Sequence, residues 1–544
     1  MKRITGYLVV LLLAGCAGQA TMDSAPAGRP KLVVFMAVDG FPQRQVVDYR
    51  DQLAPDGLRR FLDRGAWFAD AHYGHAFTVT AAGHATMLTG AYPHRTGVIG
   101  NDWYDRVTGE QVYCTGDTRY TYIGNTTKPL DGTSPNNLKV ETVGDVLKRV
   151  SPASKVIAIS GKDRGAILPG GKTGTAYMYM SQSGQFASTT YYMRDHPQWV
   201  KDFNGEKRAD KYFHVQWKAL LPETAYGQSL ADRQAWYRKG SPNALPMTLG
   251  EGKTKPDAAF YGSLLPSPFA DALSLDFARA AIKGEQLGAD DAPDILAVSL
   301  SGHDYVNHAY SAESRLSHDH TLQLDRLLES FFHDLDATVG KDNYVVILTA
   351  DHGFMPAPEY AEGKGLGGGK LSGSQALANI NKSLSDKHGE GKWVKHISAR
   401  SFVIDRKLAM DRGVNPLVLM EEIRTLALAE PGIMAAYTRP ELESQSKKGQ
   451  PWFDQMSKSW NREVSGDVEF ALKPYWMMTT SNAATHGSPH PYDTQIPILL
   501  YGPRWVKAGR VDQRVEEVDI APTIARILGV PNPPAAEGRP LPLP

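Results

Sequence analysis

Three apolar runs of the chain are each followed closely by an acidic residue. They are Lys31 to Val38 before Asp39, Ile295 to Leu300 before Asp304, and Tyr344 to Ala350 before Asp351. Continuous apolar runs of this length are typical of parallel strands that are buried on both faces. Because ligands bind beyond the carboxyl ends of the strands in open α/β sheets, we expect these three carboxylates to converge on one crevice.

Helical patterns lie between the apolar runs. Ser317 to Val339 repeats leucine and phenylalanine at helical spacing, and Leu58 to Gly65 is a shorter example. Val518 to Gly529 has Pro in its first turn and Gly at its end, which are helix start and stop signals. Lys155 to Ser160 and Ile496 to Tyr501 predict two further strands. This alternation predicts an α/β fold with a mostly parallel central sheet flanked by helices.

Two long stretches break the alternation. Residues from about 170 to 290 are rich in Tyr, Trp, Gln and Pro, and residues from about 355 to 480 contain a glycine-dense run at 363–370. That run lacks the spacing of a nucleotide-binding loop, so we predict a mobile surface loop. Both stretches interrupt one series of strands and helices. We therefore predict a single catalytic domain, residues 31–544, with two inserted cap regions.

The first residues have the pattern of an export signal. Lys2 and Arg3 precede an apolar run that ends at Leu13 and is too short to span a bilayer. The following Leu13-Ala14-Gly15-Cys16 resembles a bacterial lipobox, in which the cysteine is lipidated. We predict a signal peptide at 1–15, a lipid anchor on Cys16 and a tether at 16–30, hence a periplasmic or outer-membrane-attached lipoprotein. A plain signal peptide is the alternative.

Charge and cysteine content narrow the function classes. Lys and Arg together number 59, as do Asp and Glu, so the chain lacks the positive field that drives nucleic-acid binding. Two cysteines cannot provide a disulfide framework or the paired thiolates of a structural zinc site. We therefore expect no nucleic-acid partner, and any bound metal must be held by His and carboxylate side chains.

Such ligands are present at suitable spacing. Asp304 and His308 are four residues apart, so on a helical turn they share one face, and the adjacent Asp351 and His352 follow a strand. Together with Asp39 and His486 they form a set without thiolates that suits two metal ions, zinc rather than manganese.

Thr80 opens a predicted helix and allows two interpretations. It is either the N-cap of that helix or a nucleophile that metal coordination activates.

The order of these motifs resembles the alkaline phosphatase superfamily. The matching elements are Asp39, Thr80-x-x-x-His84, Gly97-Val98-Ile99-Gly100-Asn101, Asp304-x-x-x-His308, Thr349-Ala350-Asp351-His352-Gly353 and Thr485-His486-Gly487. The chain is most similar to the branch of phosphodiesterase and nucleotide pyrophosphatase-like proteins, which use a Thr nucleophile and two zinc ions. Within it, Ser160 to Pro169 resembles an element of the PafA-like and PhoK-like bacterial alkaline phosphatases. Asn307 departs from the Gly of many relatives.

The resemblance implies a role for each residue. One zinc ion is held by Asp39, Thr80, Asp351 and His352, and the other by Asp304, His308 and His486. Thr80 is the nucleophile that becomes phosphothreonine, and Asn101 donates a hydrogen bond to a phosphate oxygen. Lys162 and Arg164 suit the extra negative charge of a phosphate monoester. The expected activity is therefore alkaline phosphatase, with small phosphate monoesters as substrates.

Alternative functions use many of the same residues. A phosphodiesterase or nucleotide pyrophosphatase shares the two-zinc core but lacks the Lys and Arg pair, and a non-catalytic metal-binding lipoprotein needs only the ligands. A sulfatase requires a Cys-x-Pro-x-Arg sequence, and Cys114-Thr115-Gly116-Asp117 does not fit it. We expect Cys114 to be a buried thiol and His84 to be either a structural residue or a support for the metal ligands.

Overall fold

The computed structural model describes residues 28–106, 108–479 and 481–544. The predicted signal peptide, the predicted lipidation site Cys16 and most of the predicted tether lie outside the described residues. None of the helices in the described ranges combines the length and the apolar character that crossing a bilayer requires.

The core of the molecule is a nine-stranded sheet. In spatial order its strands are Gly509–Val511, Ala66–Phe68, Leu499–Tyr501, Tyr344–Thr349, Leu32–Val38, Asp294–Leu300, Val156–Ser160, Thr175–Met180 and Gln185–Ala187. The five strands from Tyr344–Thr349 to Thr175–Met180 run parallel, and antiparallel pairs flank them on both sides. The predicted α/β class with a mostly parallel sheet is confirmed.

Helices flank this sheet and pack their apolar faces on it. The long predicted helix runs from Arg315 to Leu335 and buries Leu324, Leu328 and Phe331 in the main core. In the described ranges the helices of eight or more residues are Thr80–Thr89, Val143–Val150, Asp163–Gly170, Gln198–Gly205, Pro268–Glu285, Gly302–Tyr310, Arg315–Leu335, Gly373–His388, Pro416–Ala429 and Ile520–Leu528. Shorter α-helices are Gln43–Asp48, Arg59–Arg64, Pro93–Thr96, Ala258–Ser263, Pro358–Gly363, Arg406–Asp411, Arg439–Ser444, Phe453–Ser459 and Pro491–Thr494.

The stretch at 170–290 differs from the prediction of an insertion. Thr175–Met180 and Gln185–Ala187 are strands of the central sheet, and Pro268–Glu285 packs on the main core. Many of its aromatic residues are core residues: Tyr177, for example, is buried, and its ring centroid lies 5.3 Å from that of Phe277. An aromatic-rich composition therefore does not by itself mark a departure from the sheet.

The stretch at 355–480 contains a second sheet, which the sequence analysis did not predict. Four antiparallel strands lie in the order Val394–Ser398, Ser401–Ile404, Val468–Leu472 and Ile433–Thr438. With the helices Gly373–His388 and Pro416–Ala429 they enclose a core of their own. In the glycine-dense run, Leu366 is exposed and Gly369–Lys370 pairs with Trp476–Met477. The remaining two-stranded pairs are Ala71–His72 with Val515–Glu516, Asp102–Tyr104 with Gln111–Tyr113, and Gln216–Trp217 with Met247–Thr248.

The register of the parallel strands sets the position of the polar residues that follow them. Val38 is level with Leu300, Ala37 with Thr349, and Ser299 with Ser160. The carboxyl ends of these four strands therefore meet at one edge of the sheet.

Candidate active site

Three buried carboxylates converge at this edge, as the pattern of strand ends predicts. Asp39, Asp304 and Asp351 are all shielded from solvent. The Gly40 N–H donates to Asp351 Oδ1 at 3.0 Å, and the Asn307 side-chain amide donates to the Gly40 carbonyl at 2.9 Å. The Asn307 side chain therefore fixes the turn that carries Asp39.

The first ligand cluster contains Asp304, His308 and His486. Oδ1 of Asp304 lies 3.4 Å from Nε2 of His308 and 3.5 Å from Nε2 of His486. Nδ1 of His308 donates to the Ala484 carbonyl at 3.0 Å, and Nδ1 of His486 donates to the Thr78 carbonyl at 2.8 Å. Because a carbonyl only accepts, these contacts place the ring proton on Nδ1 and leave the Nε2 lone pairs directed at the cluster.

The second cluster contains Asp39, Asp351 and His352. Nε2 of His352 lies 3.6 Å from Oδ1 of Asp39 and 3.5 Å from Oδ2 of Asp351, while its Nδ1 donates to the Gly353 carbonyl at 2.8 Å. The rings of His352 and His486 stack with centroids 3.4 Å apart, so the two clusters are neighbours. The structure thus brings the six His and Asp residues together as two groups of three.

Electrostatics favour a divalent cation in both clusters. Burial and the adjacent Asp351 carboxylate raise the pKa of Asp39 well above its usual value. Burial lowers the pKa of both His308 and His486, which keeps these imidazoles in the neutral form that binds metals. Oδ1 of Asp39, Oδ1 of Asp304 and Nε2 of His352 are buried without a hydrogen bond from any described residue. Such atoms suit metal coordination.

Thr80 is the first residue of the helix Thr80–Thr89 and is buried. The N-cap is Val79, so the interpretation of Thr80 as a cap is wrong. Gly83 lets this helix approach the second cluster, because a Cβ there would lie 2.1 Å from the Asp351 carbonyl oxygen. Nδ1 of His84 lies 2.8 Å from the Thr80 carbonyl oxygen. Sequence reasoning gave Gly83 no role, although it lies inside the Thr80 motif.

Asn101 is fixed beside the start of the same helix. Its Oδ1 accepts a hydrogen bond from the Ala81 N–H at 3.0 Å. Because this contact uses only the oxygen, the amide nitrogen remains a donor for a ligand.

Lys162 spans the two ligand clusters. Its Nζ lies 2.8 Å from Oδ2 of Asp39 and 2.6 Å from Oδ2 of Asp304. It also lies 4.9 Å from the centroid of the Tyr305 ring. These two carboxylates raise the pKa of Lys162 despite its burial, so the ammonium is charged at neutral pH. The structure therefore places Lys162 against ligands of both clusters.

Arg164 lies near Lys162 and is held by a residue that the sequence analysis missed. Its Nη1 donates to the Tyr113 hydroxyl at 3.1 Å, and that hydroxyl donates to Oδ1 of Asp163 at 2.5 Å. Lys162, Arg164, Tyr113 and Tyr305 line a cavity of about 260 Å³. Nothing in the spacing of Tyr113 or Tyr305 marks them in the sequence.

Cys114, the residue after Tyr113, is a buried free thiol, as expected.

Comparison with known proteins is consistent with this geometry. The family model of type I phosphodiesterase / nucleotide pyrophosphatase matches residues 33–369. The chain is 32% identical over 538 residues to alkaline phosphatase PafA of Elizabethkingia meningoseptica, covering 98% of this chain and 97% of that protein. It is 33% identical over 531 residues to alkaline phosphatase PhoV of Synechococcus elongatus, covering 96% and 94%.

The solved structure of wild-type PafA matches with a TM-score of 0.89 and covers 95% of this chain and 99% of that one. A second structure of PafA carries replacements of a Thr, an Asn, a Lys and an Arg. The family match spans more than half of the chain, and the fold, the ligand clusters and the near full-length relatives agree with it. The chain belongs to the type I phosphodiesterase / nucleotide pyrophosphatase family.

Proposed function

We propose that this protein is a zinc-dependent alkaline phosphatase that hydrolyses phosphate monoesters with Thr80 as its nucleophile. Relatives named alkaline phosphatases, 32–33% identical over nearly the whole chain, support the activity. The observation that carries the monoester assignment is the pair of cations, the buried Lys162 and the partly exposed Arg164, on the wall of one cavity beside the ligand clusters.

Two zinc ions are the proposed cofactors. Asp304, His308 and His486 would hold one ion, and Asp39, Asp351 and His352 would hold the other together with the Thr80 hydroxyl. Neutral imidazoles and carboxylates without thiolates are a donor set that fits zinc. When bound, the ions would lower the pKa of the Thr80 hydroxyl and stabilise the entering and leaving oxygens of the displacement.

The protein's own residues account for the two chemical steps. Thr80 Oγ gives up its proton to solvent and forms a bond to phosphorus, while the ester oxygen leaves with its electron pair and takes a proton from solvent, which gives a phosphothreonine and a free alcohol. Water then loses a proton and attacks the same phosphorus, the bond between phosphorus and Thr80 Oγ breaks, and Thr80 regains its hydroxyl proton as inorganic phosphate is released. The N-terminus of the helix Thr80–Thr89 favours the negative charge of the phosphoryl group. The Asn101 amide nitrogen is placed to donate to a non-bridging oxygen.

Lys162 and Arg164 provide the proposed selectivity for monoesters. A monoester dianion carries one more anionic oxygen than a diester, so an additional point charge and a planar guanidinium stabilise it preferentially. The replaced residues of the PafA variant have the same four types as Thr80, Asn101, Lys162 and Arg164. This agreement supports assigning the substrate contacts to these four residues.

We also propose that the protein is exported and anchored by lipid on Cys16. The charged start, the short apolar run and the lipobox-like Leu13-Ala14-Gly15-Cys16 support this proposal. Fatty-acid labelling in a bacterial host is expected for the full chain and absent for Cys16→Ser; equal labelling of both would contradict it.

The experiment compares kcat/KM for an aryl phosphate monoester with kcat/KM for the matching methyl aryl diester, on zinc-loaded protein. We expect a ratio well above one and loss of monoesterase activity in Thr80→Ala, with Thr80→Ser as the matched variant that keeps a hydroxyl. A ratio well below one would reassign the protein as a phosphodiesterase. Absence of turnover on both esters would leave a metal-binding protein.

A further inference from the structure

Arg164 is held by a neutral hydroxyl although a carboxylate is adjacent. Its Nη1 lies 4.0 Å from Oδ1 of Asp163, which is beyond hydrogen-bond distance. The Tyr113 hydroxyl stands between them, accepting from Arg164 at 3.1 Å and donating to Asp163 at 2.5 Å. The guanidinium is therefore oriented by Asp163 through Tyr113, without a direct hydrogen bond to the carboxylate.

The carboxylate behind Tyr113 is itself fixed. Oδ1 of Asp163 also accepts the Arg164 backbone N–H at 2.6 Å, and Oδ2 accepts the Gly132 N–H at 2.9 Å. A Cβ on Gly132 would lie 2.5 Å from Oδ2 of Asp163 and 2.4 Å from Thr115 Oγ1, so a larger residue cannot occupy this position without displacing them. These contacts fix the orientation of the Asp163 carboxylate. The Tyr113 hydroxyl, which is hydrogen-bonded to both groups, thereby fixes the orientation of the Arg164 guanidinium.

Tyr113 is also connected to the other proposed phosphoryl contact. It ends the strand Gln111–Tyr113, which pairs with Asp102–Tyr104, the strand that directly follows Asn101. The N–H of Cys114, the next residue, donates to the Asn101 carbonyl at 2.9 Å. One short hairpin thus sets the positions of Asn101 and Arg164 relative to each other.

This arrangement keeps the guanidinium available to a ligand. A direct bidentate pair with Asp163 would use two of its N–H donors and neutralise its charge. Here one hydrogen bond to Tyr113 orients it, and the buried Nε has no partner among the described residues. Burial raises the pKa of Tyr113 well above its usual value against the attraction of Arg164, so the hydroxyl keeps the proton that it donates to Asp163.

We infer that Tyr113 is a positioning residue for selectivity toward monoesters: it holds the Arg164 guanidinium toward the phosphoryl group and keeps it from hydrogen-bonding directly to the Asp163 carboxylate. The inference rests on the proposed role of Arg164 in binding the monoester dianion. Arg164 Nη1 now lies 4.0 Å from Oδ1 of Asp163. Without the Tyr113 hydroxyl, we expect this distance to shorten to a direct hydrogen bond and the guanidinium to be withdrawn from the substrate.

The test replaces Tyr113 with Phe, which keeps the ring and removes only the hydroxyl. Loss of one charge-assisted hydrogen bond predicts a fall of about 10- to 100-fold in kcat/KM for an aryl phosphate monoester, and a much smaller fall for the matching diester. Inhibition by inorganic phosphate should weaken in parallel. Tyr192→Phe is the matched control, since the Tyr192 hydroxyl is buried without a partner among the described residues and its ring packs on a cluster that includes Ala166, two residues after Arg164.

A double-variant cycle separates this inference from the proposed function. If Arg164→Ala lowers the monoester-to-diester ratio and Tyr113→Phe adds little on that background, Tyr113 acts through Arg164. If Arg164→Ala lowers the ratio but Tyr113→Phe alone leaves it unchanged, or lowers both activities equally, the inference is wrong while the proposed function stands. If Arg164→Ala itself leaves the ratio unchanged, the proposed monoester selectivity fails.

Gly132→Ala provides a second route if Tyr113→Phe does not fold. It retains both Tyr113 and Asp163 but displaces the Asp163 side chain. The same selective loss of monoesterase activity is expected, and an unchanged ratio would contradict the inference.

Discussion

The two ligand clusters and the cation segment after strand Val156–Ser160 are held in different ways. In the clusters, each of the three histidines donates a hydrogen bond from Nδ1–H to a backbone carbonyl; they are His308, His352 and His486. Lys162 and Arg164 are held instead by side chains of other residues. Because no substitution removes a backbone carbonyl, the fold itself holds the histidines of the proposed metal sites, whereas the positions of Lys162 and Arg164 can change when neighbouring side chains are substituted. The metal core is therefore expected to be common to the family and the charge selectivity to be adjustable.

Within the cation segment, Lys162 and Arg164 also differ. Lys162 lies against Asp39 and Asp304, so its charge is shared with both ligand clusters. Arg164 contacts a hydroxyl, and its nearest carboxylate oxygen is 4.0 Å away. Under the proposed function, this difference predicts that Lys162 affects both the metal site and the substrate, and that Arg164 affects the substrate alone.

Metal removal is expected to have the largest effect. Without cations the buried carboxylates Asp39 and Asp351 repel each other, and burial together with this repulsion raises the pKa of Asp39 well above its usual value. Treatment with a chelator should abolish turnover, and adding zinc back should restore it and raise Tm, because ligands that bind only the folded state stabilise it. Turnover assays measure the loss and recovery of activity, and thermal unfolding measures the change in Tm. A protein with the same activity and Tm before and after chelation would contradict the metal assignment of both clusters.

Replacing Lys162 or Arg164 is expected to have a smaller effect than metal removal, and the two variants are expected to differ in their affinity for zinc. Lys162→Ala removes a positive charge from beside Asp39 and Asp304, so we expect zinc affinity to rise by about 10-fold, which corresponds to about 1.4 kcal/mol. Arg164→Ala should leave zinc affinity nearly unchanged, because Arg164 contacts neither cluster. Competition with a chromophoric chelator measures the zinc affinity of both variants. Equal changes in the two would show that the cations do not divide their roles in this way.

The sequence predicted most of the residues that the structure brings together in the two clusters, because several of them follow a recognisable pattern. Asp39, Asp304 and Asp351 come after apolar strands, and parallel strands end at a common edge. Asp304 and His308 share a helical face by spacing alone. The residues that support these groups were not predictable, because Tyr113, Gly132 and Asn307 act through contacts with residues distant in the sequence.

The fold was also predictable only in part. The long helix follows from its hydrophobic periodicity, and the central strands follow from their continuous apolar runs. Both are local features of the sequence. The second sheet was missed because its strands are only four to six residues long, and two of them, Val394–Ser398 and Ile433–Thr438, are only partly buried. Thr175–Met180 is a core strand, but it was assigned to an insertion because its tyrosines made it resemble the aromatic-rich stretch that follows.

The double variant Lys162→Ala/Arg164→Ala tests the central claim most directly. The measurement is its monoester-to-diester ratio of kcat/KM on zinc-loaded protein, compared with that of the unaltered protein. The account predicts that monoester turnover falls much more than diester turnover, so that the ratio drops by about 100-fold or more if each cation supplies one charge-assisted contact. Equal losses on both esters would contradict the claim that these cations read the extra charge of a phosphate monoester.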